Sequence, residues 1–169
     1  LANAALGSDL DLVRLRLRAV HFIPIEDRLV FAICAEAGGT RPYGSTDMLP
    51  LQERFYLGGG ETVRSFPQDD VGPRFVDQDG VVTDTAAGGE FFSRLSLELR
   101  VPVWGDLEGA VFVDTGNVVE ELSGDLFRGY RFGLGLGLRY RTPLGAVRVD
   151  AALNPSPRDY EESYGIFFS

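Results

Sequence analysis

Glu90-Phe91-Phe92-Ser93-Arg94-Leu95-Ser96-Leu97-Glu98-Leu99-Arg100-Val101-Pro102-Val103 is the run whose reading decides the fold. Phe91, Leu95, Leu97, Leu99 and Val101 share one parity with Ser93; Phe92, Arg94, Ser96, Glu98 and Arg100 share the other. A period of two is that of a β-strand, whose successive side chains point to opposite faces.

The same alternation recurs outward from this run. Upstream, Leu10 to Ile25 sets Val13, Leu15, Leu17 and Ala19 against Arg14, Arg16 and Arg18. After a turn at Pro24 to Asp27, Arg28 to Ala37 sets Leu29, Phe31 and Ile33 against Ala32, Cys34 and Glu36, so the two segments read as a hairpin. Downstream, a turn at Pro102 to Asp106 leads to Glu108 to Val118, with Val111 and Val113 opposite Phe112, Asp114 and Gly116. Beyond a polar turn at Gly124 to Phe127, Phe132, Leu134, Leu136, Leu138 and Tyr140 face away from Arg131, Gly133, Gly135, Gly137, Arg139 and Arg141. That row of glycines implies a close approach to the backbone. Thr142-Pro143-Leu144-Gly145 has turn chemistry, and after it Val147, Val149, Ala151 and Leu153 oppose Arg148, Asp150 and Ala152. A last loop precedes Tyr164, Ile166 and Phe168 on one face of a terminal strand.

Seven such strands and no convincing helix leave two architectures open. A soluble sandwich turns its apolar faces to the core; a transmembrane barrel turns them outward to lipid and its charges inward to a wet lumen. Periodicity does not separate the two. The barrel is favoured by the length of the strands, by arginines and carboxylates together on the polar faces, and by aromatics near strand ends at Phe22, Trp104, Phe132, Tyr140, Tyr164 and Phe168.

Composition narrows the function classes. The length of 169 residues suits one ordinary domain, and a net charge of -9 offers no basic stripe for nucleic acid. Cys34 is the only cysteine, which excludes an intrachain disulfide; it reads as a small apolar filler. His21, read at a strand end, has no clustered partners, so no metal and no cofactor are expected. No run approaches the ~20 apolar residues of a membrane helix, and no signal pattern opens the chain. No nucleophile, base and orienting group come together, so catalytic residues are not expected and the chain does not read as an enzyme. The start at Leu1-Ala2-Asn3-Ala4-Ala5 suggests a piece of something longer, with further strands before Leu1, because a barrel has no free edge.

The connection from Gly38 to Gly89 is far longer than the ~12 to 15 residues usual for a structureless loop. A disordered linker would be poor in aromatics, yet this one carries Tyr43, Phe55, Tyr56, Phe66 and Phe75. At its centre, Gly58, Gly59 and Gly60 permit a tight turn that presents Val63, Arg64, Ser65 and Phe66. The alternative is a long surface hairpin loop.

Five pieces carry a family resemblance. They are Phe55 to Phe66, Ser96-Leu97-Glu98-Leu99-Arg100, Phe112-Val113-Asp114-Thr115-Gly116-Asn117-Val118, Gly135 to Tyr140 with the turn after it, and Tyr164-Gly165-Ile166-Phe167-Phe168. In that order they resemble the C-terminal barrel half of the outer-membrane protein 85 superfamily, the BamA- and TamA-type assembly factors and the transporters of two-partner secretion. The resemblance implies an all-β fold: an antiparallel transmembrane β-barrel, of which residues 1–169 form the C-terminal part, with about seven of about 16 strands. The connection at about 38–89 would be inserted in the lumen.

For the site, the resemblance implies that Arg64 meets Asp114, with Glu98 as second acceptor and Phe112 and Gly116 beside them on the wall. Parity independently puts Glu98 and Asp114 on polar faces. The alternative leaves Arg64 exposed and pairs Glu98 with Arg94 or Arg100. Gly133, Gly135 and Gly137 would be a smooth wall for the loop, and Tyr164, Gly165 and Phe168 the terminal-strand signal. Ser65 departs from the glycine usual in the loop motif, and Ser169 from a terminal aromatic.

The implied function is insertion of other outer-membrane proteins through a lateral seam, with a two-partner secretion pore or a passive outer-membrane channel as alternatives. The implied partners are the outer-membrane lipid bilayer, unfolded outer-membrane protein substrates and periplasmic or lipoprotein accessory subunits. The implied location is the bacterial outer membrane, with an organellar outer membrane as the lesser alternative.

Overall fold

The computed structural model describes residues 10–26, 29–46, 48–121, 126, 128–143 and 145–169. Its strands are β1 (Leu12–Glu26), β2 (Leu29–Pro42), β3 (Arg74–Val76), β4 (Val82–Ala86), β5 (Phe91–Trp104), β6 (Leu107–Val119), β7 (Arg131–Thr142), β8 (Gly145–Leu153) and β9 (Tyr164–Phe168). Seven of them form one sheet in the order β1-β2-β5-β6-β7-β8-β9, and every neighbouring pair is antiparallel. Among the described residues the sheet is open, with β1 and β9 at its edges.

All seven alternating segments are therefore strands of one meander, with three differences from the sequence reading. β2 runs on to Pro42, because Gly38 and Gly39 pair with Phe92 and Phe91 of β5 and the Thr40 N–H reaches the Glu90 carbonyl at 2.7 Å. The connection is thus shorter than expected, and inside it β3 and β4 form a separate hairpin too short to show a period. His21 lies within β1 opposite Ile33, not at a strand end. Residues 1–5, Asp27, Arg28, Gly124, Asp125, Phe127 and Leu144, which carried expectations about the chain start and the turns, lie outside the described residues.

Exposure decides between sandwich and barrel. Leu134, Leu136 and Leu138 are 47%, 64% and 53% exposed, whereas Asp114 and Asp150 are 0% and Glu98 6% exposed. The charged face is the buried one, which is the inverted arrangement of a membrane barrel. Register then sorts the outward aromatics into two rims. Trp104, Tyr140 and Phe168 lie toward the β5–β6 and β7–β8 turns, and Phe132 and Tyr164 lie toward the long connections. Phe22 leaves this set: it shares the parity of the arginines, lines the lumenal cavity and stacks 5.5 Å from the Arg100 guanidinium. Cys34 lines that same polar cavity and is not an apolar filler.

The apolar core lies on the concave face, not between sheets. Phe55, Leu57, Val63, Phe66 and Val71 of the long connection pack there against Phe92 and Val118. Of the other loop aromatics, Tyr43 and Phe75 stay partly exposed.

The inverted faces generate a direct expectation for Leu136, at the middle of β7. Replacing it with arginine should cost about 2–4 kcal/mol in a bilayer, read as a lowered urea midpoint of the full-length protein in lipid vesicles.

Candidate functional site

The connection folds inward and is tied to itself before it meets the wall. Phe55 and Gly89 exchange backbone hydrogen bonds of 2.8 and 3.0 Å, and the Val71 N–H donates to the Leu57 carbonyl at 2.8 Å. Between these ties the chain makes one tight turn. Gly58 and Gly59 adopt φ of 120° and 88°, values that side-chain-bearing residues rarely take. The Thr62 hydroxyl accepts from the Gly58 N–H and donates to the Gly58 carbonyl, each at 2.7 Å. The Gly59 N–H closes the turn on the Phe66 carbonyl at 2.9 Å. Leu57 and Val63 press on Gly116, where a Cβ would lie 2.8 and 3.0 Å from them.

This turn delivers Arg64 to three carboxylates. Its Nε and Nη2 donate to the two oxygens of Asp114 at 2.7 and 2.8 Å, a bidentate pair, and its backbone N–H adds a third bond to Asp114 at 3.2 Å. Nη1 donates to Glu98 at 2.8 Å and to Asp150 at 3.1 Å. Ser96 completes the set, accepting from Nη2 at 3.2 Å and donating to Asp114 at 2.6 Å. The guanidinium lies 3.3 Å from the centre of the Phe112 ring, a cation–π contact. Burial alone works against the charge on Arg64, but the hydrogen bonds and charges of Asp114 and Glu98 outweigh it and hold the guanidinium above its ordinary range.

Register is what brings these residues together. Ser96 of β5 is opposite Asp114 of β6, Asp114 is opposite Gly133 of β7, and Gly137 of β7 is opposite Asp150 of β8. One cation among three carboxylates would leave excess negative charge, and the wall supplies the balance. Glu98 also binds Arg100 and Arg139, each at 2.7 Å, and Asp150 lies 3.4 Å from Arg148 and 3.7 Å from Arg139. Arg94, an alternative partner for Glu98, pairs with Glu36 at 2.7 Å instead.

Asp150, Arg139 and Arg148 join the site beyond the residues that the family resemblance implies. All three share the polar parity of their strands, which is the signal the sequence carries for them. Parity gives the face of a residue but not its height in the lumen.

The three wall glycines divide the work. Gly133 admits the loop: a Cβ there would lie 2.5 Å from the Ser65 hydroxyl, which donates to the Phe132 carbonyl at 3.2 Å. Gly135 makes room for the Phe112 ring and Gly137 for the Asp150 carboxylate, each 2.1 Å from the missing Cβ. The smooth wall for the loop is therefore Gly133 alone, because side chains of β6 and β8 lean across the rest of the bare backbone. In β9, Tyr164 and Phe168 point outward and are exposed, while Gly165 faces the Arg64 carbonyl.

An inside-out antiparallel sheet whose own connection packs over its charged face around a buried arginine defines part of a membrane β-barrel with an inward-folded loop. The chain belongs to the Omp85 superfamily, whose domain matches residues 1–169. It is 30% identical over 158 residues to the outer membrane protein assembly factor BamA of Neorickettsia risticii (strain Illinois), covering 88% of this chain and 20% of that protein. It is 32% identical over 110 residues to the chloroplastic outer envelope protein 80 of Arabidopsis thaliana, covering 60% of this chain and 13% of that one. The fold matches the crystal structure of BamA from Haemophilus ducreyi lacking POTRA domains 1-3, with a TM-score of 0.82 at 22% identity over 96% of this chain and 35% of the other. The chain thus spans a fifth or less of the length of these curated relatives. Its place is the outer membrane, as part of a β-barrel.

The contact at Gly133 gives a prediction with an internal control. Gly133→Ala should push Ser65 off the wall and cost about 1–3 kcal/mol as an overpacked contact. Adding Ser65→Gly should recover part of that loss, read from urea midpoints of the two variants.

Proposed function

We propose that the protein acts as an outer-membrane protein assembly factor, a non-enzymatic insertase in which Arg64 locks the loop into the lumen beside a lateral seam. The observation that carries this reading is the buried bidentate pair of Arg64 with Asp114, shared with Glu98 and Asp150. Burying a charged fork in this way is weak evidence for stability alone and stronger evidence for fixing one geometry of the loop. A passive channel does not require an arginine-bearing loop matched to acidic wall residues. The two bacterial relatives named as outer membrane protein assembly factors, those of Neorickettsia risticii and of Neisseria meningitidis serogroup B, support the same reading.

The seam is proposed at β9. β9 is the last strand of the sheet, and where its pairing with the barrel's first strand is weak, its edge N–H and C=O groups would template an incoming strand by β-augmentation. Its partners would be unfolded outer-membrane proteins and the bilayer, with periplasmic or lipoprotein subunits delivering the substrate.

The test is a full-length preparation in lipid vesicles offered an unfolded outer-membrane barrel protein. Folding of that substrate, followed by protease protection, should be accelerated by the wild type and slowed at least about tenfold by Arg64→Ala, which strands the buried Asp114 at a cost of roughly 3–5 kcal/mol. Export of a soluble polypeptide without barrel insertion would turn the reading to a secretion pore. Ion conductance alone would turn it to a passive channel.

A further inference from the structure

β9 is the shortest strand of the sheet, and it pairs with β8 only from Val149 opposite Phe168 to Leu153 opposite Tyr164. The loop adds further contacts to it. Phe167, the inward aromatic of β9, lies against Gly60, where a Cβ would fall 3.2 Å from the Phe167 Cβ and 3.3 Å from its Cγ. The Arg64 carbonyl sits over Gly165, 2.9 Å from the Cβ that residue lacks.

Arg148 links the same two parts. Its backbone exchanges hydrogen bonds of 2.7 and 3.0 Å with Ser169, which fixes the end of the β8–β9 ladder. Its guanidinium donates to the Gly60 carbonyl at 3.1 Å, pairs with Glu61 and reaches Asp150 at 3.4 Å. One side chain therefore touches the loop tip and Asp150, one of the three carboxylates that hold Arg64, and its own backbone carries the last pair of the terminal strand. A lysine would bring a point charge in place of this fork.

The geometry points to a clasp: the loop tip at Gly60 and Glu61 holds the terminal strand through Phe167 and Arg148, and the strand's edge opens to an incoming polypeptide only when that hold is released. Phe167 and Arg148 are positioning residues in this scheme. Gly60 is the complementary surface, since its φ is ordinary and the requirement there is space rather than backbone freedom. The clasp rests on the seam reading given above, but its structural half is measurable without any substrate.

Two measurements on the full-length protein in lipid vesicles test it. The first is amide exchange in β9. Phe167→Ala and Arg148→Ala should each accelerate exchange at residues 165–167 at least about tenfold, as expected for the loss of a packing or charged contact. Arg148→Lys should not restore protection. Unchanged exchange in both alanine variants would overturn the clasp, whatever an insertion assay shows.

The second measurement locks the clasp. With Cys34→Ser, the pair Gly60→Cys and Phe167→Cys sets the two Cβ atoms close to disulfide spacing. Oxidation should form the bond and slow insertion of an unfolded barrel protein at least about tenfold relative to the reduced form, with recovery on reduction. Failure of the bond to form, or equal rates in the two forms, would overturn the gating. A reduced protein and a wild type that both fail to insert would instead count against the insertase reading, and the exchange data would still decide the clasp.

Discussion

The fork of Arg64 on Asp114 is the interaction on which the rest of this structure depends. It joins the middle of a long connection to the middle of a membrane strand, fifty positions apart in sequence. A guanidinium satisfies both oxygens of one carboxylate and still has Nη1 free for Glu98 and Asp150, an arrangement that the compact charge of a lysine would not reproduce. Because the pair is buried, removing Arg64 leaves the Asp114 carboxylate without a counter-charge among the described residues, so breaking the pair costs more than breaking a surface ion pair.

Everything around the pair serves to make that burial tolerable. Arg100, Arg139 and Arg148 balance the carboxylates, Ser96 fills a remaining acceptor of Asp114, and the Phe112 ring covers one face of the guanidinium. Small residues set the distance. Gly116 and Gly133 let the loop come down to the wall, and Gly165 lets the Arg64 carbonyl meet the last strand. The apolar shoulder of the turn, with Val63 and Phe66 fully buried, excludes water from one side of the network. Around Arg64 the charged face is therefore packed, while the aliphatic surface that a soluble protein would hide is left for lipid.

Much of this was legible in the chain. Period-two alternation marks all seven sheet strands, and parity puts Glu98 and Asp114 on the polar face. It does not say which face is inward, since a sandwich and a barrel share the same period; the exposures of Leu136 and Asp150 decide that. Asp150 and Arg139 share the polar face, but which inward residues meet depends on strand stagger, which parity does not carry. Phe22 follows the parity of the arginines, not the aromatic character that suggests a rim. At Gly135 and Gly137 a bare backbone says that something is close, but not that it is Phe112 and Asp150 rather than the loop.

The coupling free energy between Arg64 and Asp114, from a double-mutant cycle of Arg64→Ala and Asp114→Ala, tests the central claim most directly. The cycle would be read by urea unfolding of the full-length protein in lipid vesicles. A buried, bidentate pair should show a coupling of about 2 kcal/mol or more, with the double variant less destabilised than the sum of the single ones. Additive effects, with a coupling near zero, would contradict it and return the loop to an ordinary segment that merely rests in the lumen.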